Sequence, residues 1–281
     1  MKMKILFPTE FGELGEKARL QAAFLARALK GELHIMHSVS KPGALVRLIS
    51  GDHLEEEKEE AAETLEAYAT ALAIEGKVPV FKMIWDGAPA HAIVEAAHHI
   101  KADIIIFGTL GGAGLRDTLL GSSVNYVIRN APCPVLTIRN QPQVHGFKKI
   151  LVPIDTLKEV LEQVKWGVKM AILFGAEIHF LGLMTGDPEH NRQIDFRVRN
   201  AVKYAHAEGV EIAEMHLDPQ YESTVSEIEQ IATAIHADLI CVVTQSEDEK
   251  GVLTMLGGGS IADRVVNTSQ FPIFSVPANG H

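Results

Sequence analysis

Cysteine is nearly missing from this chain of 281 residues: Cys133 and Cys241 are the only two, each in or beside a strand-like apolar run. Two isolated thiols exclude a disulfide framework and a cysteine-based metal site, and they read as buried thiols in a reducing compartment. Long apolar runs are also missing. None approaches the ~18 residues of a membrane span, so no membrane insertion is expected. Positive charge is scarce, with 26 Lys and Arg against 36 Asp and Glu and a net charge of −10. That balance argues against nucleic acid or an anionic membrane as a general partner. It leaves room for a small anion held locally by backbone amides. Met-Lys-Met-Lys runs straight into a strand, so no signal peptide is expected and the cytoplasm is the expected location.

Two catalytic signatures are absent as well. No Gly-Lys-Ser or Gly-Lys-Thr follows a strand, so there is no P-loop lysine, and Gly-x-Ser-x-Gly does not occur. Of the 13 histidines, His98 and His99 stand out. Neighbouring helical residues point about 100° apart and make a poor bidentate metal site. The acidic run Glu55-Glu56-Glu57-Lys58-Glu59-Glu60 is the solvated start of a helix, where carboxylates also suit the helix dipole.

What is present is a repeat. Ile150-Leu151-Val152-Pro153-Ile154-Asp155 follows Ile5-Leu6-Phe7-Pro8-Thr9-Glu10 by 145 positions, and Glu177-Ile178-His179 follows Glu32-Leu33-His34 by the same offset. Ala237-Asp238-Leu239-Ile240 follows Ala102-Asp103-Ile104-Ile105 by 135, and Gly259-Ser260 follows Gly121-Ser122 by 138. Two copies of one domain, 1–140 and 147–281, are the economical reading, joined by the polar linker Gln141-Pro142-Gln143-Val144-His145-Gly146. Equivalent strand positions of His34 and His179 suggest a shared packing role.

Within each copy, short apolar runs alternate with helical periodicity. The pattern predicts strands over 3–8, 32–39, 78–84, 103–108 and 134–138, with helices near 13–30, 54–75, 88–100 and 122–130. In the second copy it predicts strands over 149–154, 177–183, 210–216, 238–244 and 272–276. Such alternation gives an α/β fold: in each half a doubly wound, five-stranded parallel sheet of Rossmann-like type, covered on both faces. Ligands of these sheets bind beyond the carboxyl ends of the strands, at the switch point of strand order. Thr9-Glu10, Ser38-Val39 and Gly108-Thr109 all fall there.

Gly108 to Ser123 is the most informative stretch: a glycine-rich loop between a buried strand and a helix start. Glycine allows close backbone approach, and the first helix amides lack internal partners, so phosphate is the natural guest. Gly108, Gly111 and Gly121, followed by Ser122, fit G-x2-G-x9-G-[ST]. This resembles the phosphate and ribose loop of nucleotide-binding universal stress proteins, of the adenine nucleotide alpha hydrolase-like fold. Ile5 to Glu10 resembles that family's first strand and adenosine-contacting turn, Trp85-Asp86-Gly87-Ala88-Pro89 its G-x-P turn, and Ala131 to Ile138 its last strand.

The resemblance implies an adenine nucleotide, ATP or AMP, in the first half. Pro8, Thr9, Glu10 and the backbone near Ser38 would hold the adenosine. Gly108, Thr109, Gly111, Gly121, Ser122 and Ser123 would hold ribose and phosphates, with Arg116 near them. Many relatives carry Asp where this chain has Glu10, and histidine where it has Leu110; a metal such as Mg²⁺ at Glu10 stays open. The second loop is degenerate. Val243-Thr244-Gln245-Ser246 replaces Gly108-Thr109-Leu110-Gly111, and Glu247, Asp248 and Glu249 would repel a polyphosphate by roughly 1 kcal/mol per close contact. His216-Leu217-Asp218-Pro219 stands where the G-x-P turn would be. The second half is therefore expected to be a scaffold or a site for another ligand.

Single-domain relatives pair through the strand after a Pro-x-Pro turn. The runs at 134–138 and 272–276 are accordingly expected to pack the halves as a pseudo-dimer, which removes an apolar edge; a further homodimer stays open. Two functions remain: a nucleotide-binding stress-response regulator, at most a slow ATPase, and a non-nucleotide interaction protein that keeps the fold. Adenine nucleotide released on denaturing the purified protein separates them.

Overall fold

The structure is a computed structural model and describes residues 2–40, 54–108, 122–138, 146–156, 160–217, 225–244 and 261–278. The chain divides into two compact units that meet in sequence at His145 and Gly146. In the first unit the order is β1 (Lys4–Pro8), α1 (Glu13–Ala28), β2 (Glu32–Val39), α2 (Leu54–Gly76), β3 (Val80–Asp86), α3 (Pro89–Ile100), β4 (Ile104–Gly108), α4 (Ser122–Asn130) and β5 (Val135–Ile138). The second has β6 (Lys149–Ile154), α5 (Val160–Phe174), β7 (Glu177–Gly182), α6 (Pro188–Ala207), β8 (Glu214–Leu217), α7 (Val225–Ala234), β9 (Leu239–Thr244), α8 (Ile261–Thr268) and β10 (Ile273–Pro277).

Strand order in the first unit is β3-β2-β1-β4-β5, every pair parallel. In the second it is β8-β7-β6-β9-β10, again all parallel. Central strands read as unbroken apolar runs because both faces are covered: Ile104, Ile105 and Ile106 are buried, as are all six residues of β9. Helix α1 meets the sheet through small side chains four apart, Ala18, Ala22 and Ala26, all fully buried, so helix and sheet approach closely. The order reverses between β1 and β4, and between β6 and β9. The β1–β4 register holds only at Ile5–Ile104 and Leu6–Ile105, and the β6–β9 register only at Ile150–Leu239 and Leu151–Ile240. Beyond these pairs the strands part and leave the switch-point crevice.

The repeated Ala-Asp pairs have a physical basis. Asp103 accepts the Lys4 amide at 2.8 Å through its carboxylate and returns its own amide to the Lys4 carbonyl at 2.8 Å. Asp238 accepts the amides of Lys148 and Lys149, at 2.8 and 3.1 Å, and donates to the Lys149 carbonyl. Each aspartate pins the central strands together at the amino edge, opposite the crevice. Burial pushes the Asp238 carboxyl up from its ordinary value while those amides pull it down. The repeated Glu-x-His also closes on itself: His34 Nε2 lies 3.0 Å from Glu32, and His34 stacks on Phe81 at 4.9 Å.

Helices α3 and α7 end alike. Lys101 and His236 adopt left-handed φ of 55°, and the following amides, of Ala102 and Ala237, reach back to the carbonyls of Ala97 and Ala232. A left-handed non-glycine residue costs about 1–2 kcal/mol, partly offset on replacement by the larger unfolded-state freedom of glycine. Lys101→Gly is therefore expected to stabilise the protein by about 0.5–1 kcal/mol, raising Tm by about 1–4 °C in a thermal scan. A lower Tm would contradict this account of the helix end.

Two strands differ from the sequence expectation by more than one residue. The strand expected over 210–216 begins only at Glu214. Gly209 (φ 75°) and Val210 belong to the end of α6, where the Val210 amide bonds the Ala205 carbonyl, so buried Val210 belongs to a helix cap instead of a strand. The strand expected over 78–84 runs from Val80 to Asp86, since Lys77 (φ 52°) closes α2 and Trp85 and Asp86 pair with Ser38 and Val39.

Candidate functional site

The first crevice is built on the turn that leaves β1. Pro8 ends the strand, and the Thr9 amide still bonds the Met36 carbonyl of β2 at 2.8 Å. Thr9 is buried, and its hydroxyl accepts the Phe11 amide at 3.0 Å, so the chain doubles back and Glu10 points outward, exposed. Phe11 carries a left-handed φ of 57°, an uncommon state for an aromatic residue. Three contacts hold it: stacking on His37 at 4.7 Å, an edge contact with Tyr68 at 5.8 Å, and the hydroxyl of Thr9. His37 also ties the turn directly, since its Nδ1 lies 2.8 Å from the Thr9 carbonyl and must carry the proton to donate there. Gly15, in the first turn of α1, allows this approach, because a Cβ on it would sit 2.9 Å from the Thr9 hydroxyl.

Strand β2 ends beside this turn, with Ser38 partly buried and in register with Trp85. The G-x-P segment closes over the end of β2. Gly87 (φ 122°) donates its amide to Val39, Ser40 donates its hydroxyl to the Gly87 carbonyl at 3.2 Å, and Pro89 opens α3. Lys58 reaches Asp86 at 3.0 Å, and that hydrogen bond holds its ammonium above its ordinary pKa. The α3 face then fixes α4. Tyr126 bonds His91 through its hydroxyl at 2.9 Å with the rings 4.3 Å apart, and the Trp85 indole donates to Glu95 at 3.1 Å.

Because β1, β2 and β4 are parallel neighbours, Pro8, Thr9, Glu10, Ser38 and Gly108 lie at one edge of the sheet. Helix α4 leads from that edge to the start of β5, so its first residues, Ser122 and exposed Ser123, begin at the same edge, where the first amides of a helix have no intrahelical partner. Thr109, Gly111 and Gly121, with Leu110 and Arg116, lie outside the described residues. The sequence reading did not reach Phe11, His37 and Tyr68. A histidine at the carboxyl end of β2, beside Ser38, was the available signal.

In the second unit, Pro153, Asp155, Leu183, Val242 and Val243 are the counterparts of Pro8, Glu10, Ser38, Phe107 and Gly108, and they surround a cavity of about 20 Å³. A water needs about 10–15 Å³, so among the described residues the floor of this crevice leaves room for about one water. Both cysteines are free and buried, and burial raises both thiol pKa values far above the ordinary one. Among the described residues no group of three His, Cys, Asp or Glu side chains is arranged to hold a metal ion. Among them, too, no helix is long and apolar enough to cross a membrane.

Comparison with known proteins agrees with this architecture. The model of the Universal stress protein family matches residues 1–139 and again 146–277. A universal stress protein of Methanocaldococcus jannaschii is 32% identical over 142 residues, which cover 48% of this chain and 81% of that one. Another, from Bacillus subtilis, is 29% identical over 146 residues, covering 48% and 98%. The crystal structure of a universal stress protein from Archaeoglobus fulgidus shares the fold, with a TM-score of 0.78 over 98% of both chains at 21% identity. With one family model matched twice along its length, the chain belongs to the universal stress protein family.

Proposed function

We propose that the protein is a cytoplasmic stress-response regulator that binds one adenine nucleotide, ATP or AMP, in the crevice of its first unit. The observation that carries this reading is the difference between two equivalent crevices. The first has a braced turn at Thr9–Phe11, strand ends converging at Ser38 and Gly108, and helix α4 opening toward them. In the second, the equivalent strand ends line a cavity of only about 20 Å³ at the floor, and Gln163 fills the gap between β6 and β9.

The residues present suit such a ligand. The backbone of the Pro8–Glu10 turn and of Ser38 would hold adenosine. Gly108 and the amides of α4, with the Ser122 and Ser123 hydroxyls and the loop residues Thr109, Gly111 and Gly121, would hold ribose and phosphate. Exposed Glu10 offers a carboxylate for Mg²⁺, which would supply charge neutralisation at the phosphates.

The activity is binding, not rapid turnover. Backbone amides that grip phosphate stabilise ground and transition states alike, and uniform binding does not accelerate chemistry. Phosphoryl transfer also needs a positioned nucleophile and cations on the developing charge, and this chain has no P-loop lysine. ATP turnover is expected to stay far below the roughly 1–100 s⁻¹ of kinases. A steady-state assay with Mg-ATP checks this. A rate above about 1 s⁻¹ that vanishes in Glu10→Ala would make the protein an enzyme.

A further inference from the structure

One side chain spans the floor of the second crevice. Gln163 of α5 is buried, and its amide nitrogen donates to two main-chain carbonyls, Pro153 of β6 at 2.8 Å and Cys241 of β9 at 2.6 Å. Two carbonyl acceptors require the nitrogen, not the oxygen, at this position, and both amide hydrogens are used. Pro153 and Cys241 lie beyond Leu151 and Ile240, the last residues paired between β6 and β9. The side chain therefore spans the gap where β6 and β9 part. Cys241 answers with its thiol, which donates to the main-chain carbonyl of Gln163 at 3.6 Å. The same amide lines the water-sized cavity beside Asp155.

Among the described residues the first unit has no such bridge. The 145-residue offset holds through the helix: Ala26 and Ala171 accept the amides of Gly31 and Ala176 in the same way. The counterpart of Gln163 is thus Ala18, equally buried and on the same helix face. A methyl group has no hydrogen to donate, and it is three heavy atoms too short to enter the gap between Pro8 and Ile106, the counterparts of Pro153 and Cys241.

We propose that Gln163 is the built-in occupant of the second crevice, and that the Ala18/Gln163 difference determines which half of the chain admits a ligand. This closure is separate from the acidic loop of the second half, because it acts at the floor of the crevice, where the nucleoside end of a ligand would enter. The part of the proposal that concerns Ala18 rests on the nucleotide reading; the part that concerns Gln163 does not.

The test uses the full chain and two variants. With Gln163→Ala, alkylation of Cys241 by N-ethylmaleimide under native conditions is expected to accelerate at least tenfold, because the gap opens onto it. Cys133, buried in the other unit, is expected to stay as slow as in the wild type. Circular dichroism verifies that the variant is folded. A folded Gln163→Ala protein whose Cys241 reacts no faster overturns the proposal, whether or not any nucleotide binds. In Ala18→Gln, binding of radiolabelled ATP is expected to weaken at least 100-fold with the fold intact, while Gln163→Ala keeps wild-type ATP affinity within twofold. Unchanged ATP binding by folded Ala18→Gln would overturn the proposal, and this variant decides if Gln163→Ala does not fold. Wild-type protein that binds no ATP would defeat the functional reading alone, and the thiol measurement would still judge Gln163.

Discussion

Replacing Phe7 with alanine is expected to remove about 3–5 kcal/mol of stability, the range for a large aromatic side chain lost from a packed interior. Phe7 lies in β1, the middle strand of the first sheet, with no exposed surface. Its loss leaves a cavity between the sheet and the helix layer, and such a cavity forfeits dispersion contacts as well as transfer free energy. Against a total of about 5–15 kcal/mol for a folded domain, that is a large fraction. The effect is read as a lower denaturant midpoint at unchanged slope. Phe196 of α6 is the internal control. Its side chain is 66% exposed, so Phe196→Ala is expected to move stability by no more than about 0.5 kcal/mol. Equal effects of the two substitutions would contradict the placement of the core.

The second large effect concerns ligand binding. His37→Ala removes the hydrogen bond to the Thr9 carbonyl and the ring on which Phe11 stacks. These contribute about 1 kcal/mol for the bond and about 0.5–1.5 kcal/mol for the ring pair. They oppose the strain of a left-handed Phe11, about 1–3 kcal/mol. Without them the turn is no longer held in this conformation, and under the proposed function ordering it again falls to the nucleotide. At 1.4 kcal/mol per decade, adenine nucleotide affinity is expected to drop about 10–50-fold. Circular dichroism should change little, because the turn lies outside the core. His37→Phe keeps a stacking ring but no donor, and it is expected to recover about half of the loss on the free-energy scale. Wild-type affinity in His37→Ala would show that the turn needs no brace.

The fold was legible because the decisive signals are local or repeated. Ile104 to Phe107 has too many consecutive apolar residues for a strand with a wet face, and β4 is buried throughout those four positions. The Ala-Asp and Glu-x-His repeats aligned the two halves without any structure. They mark side chains that satisfy neighbouring strand ends, as Asp103 and Asp238 do. The strand ends that carry Pro8, Thr9, Ser38 and Gly108 followed from the same alternation. Where the reading fell short, a tertiary constraint outweighed the local pattern. Val210 is apolar and precedes a strand, yet it serves to end α6. The left-handed conformation of Phe11 is set by His37 and Tyr68, residues about 26 and 57 positions away, and no local rule places an aromatic residue there. Gln163 looks like an ordinary helix residue until its amide is seen between two parting strands.

The central claim is one adenine nucleotide per chain, bound in the first unit. The most direct measurement is the stoichiometry of ATP binding by isothermal titration of the nucleotide-stripped protein, repeated on His37→Ala. The expected result is a single site per chain that weakens in the variant. Two equivalent sites per chain, or a single site whose affinity is unchanged in His37→Ala, would contradict it.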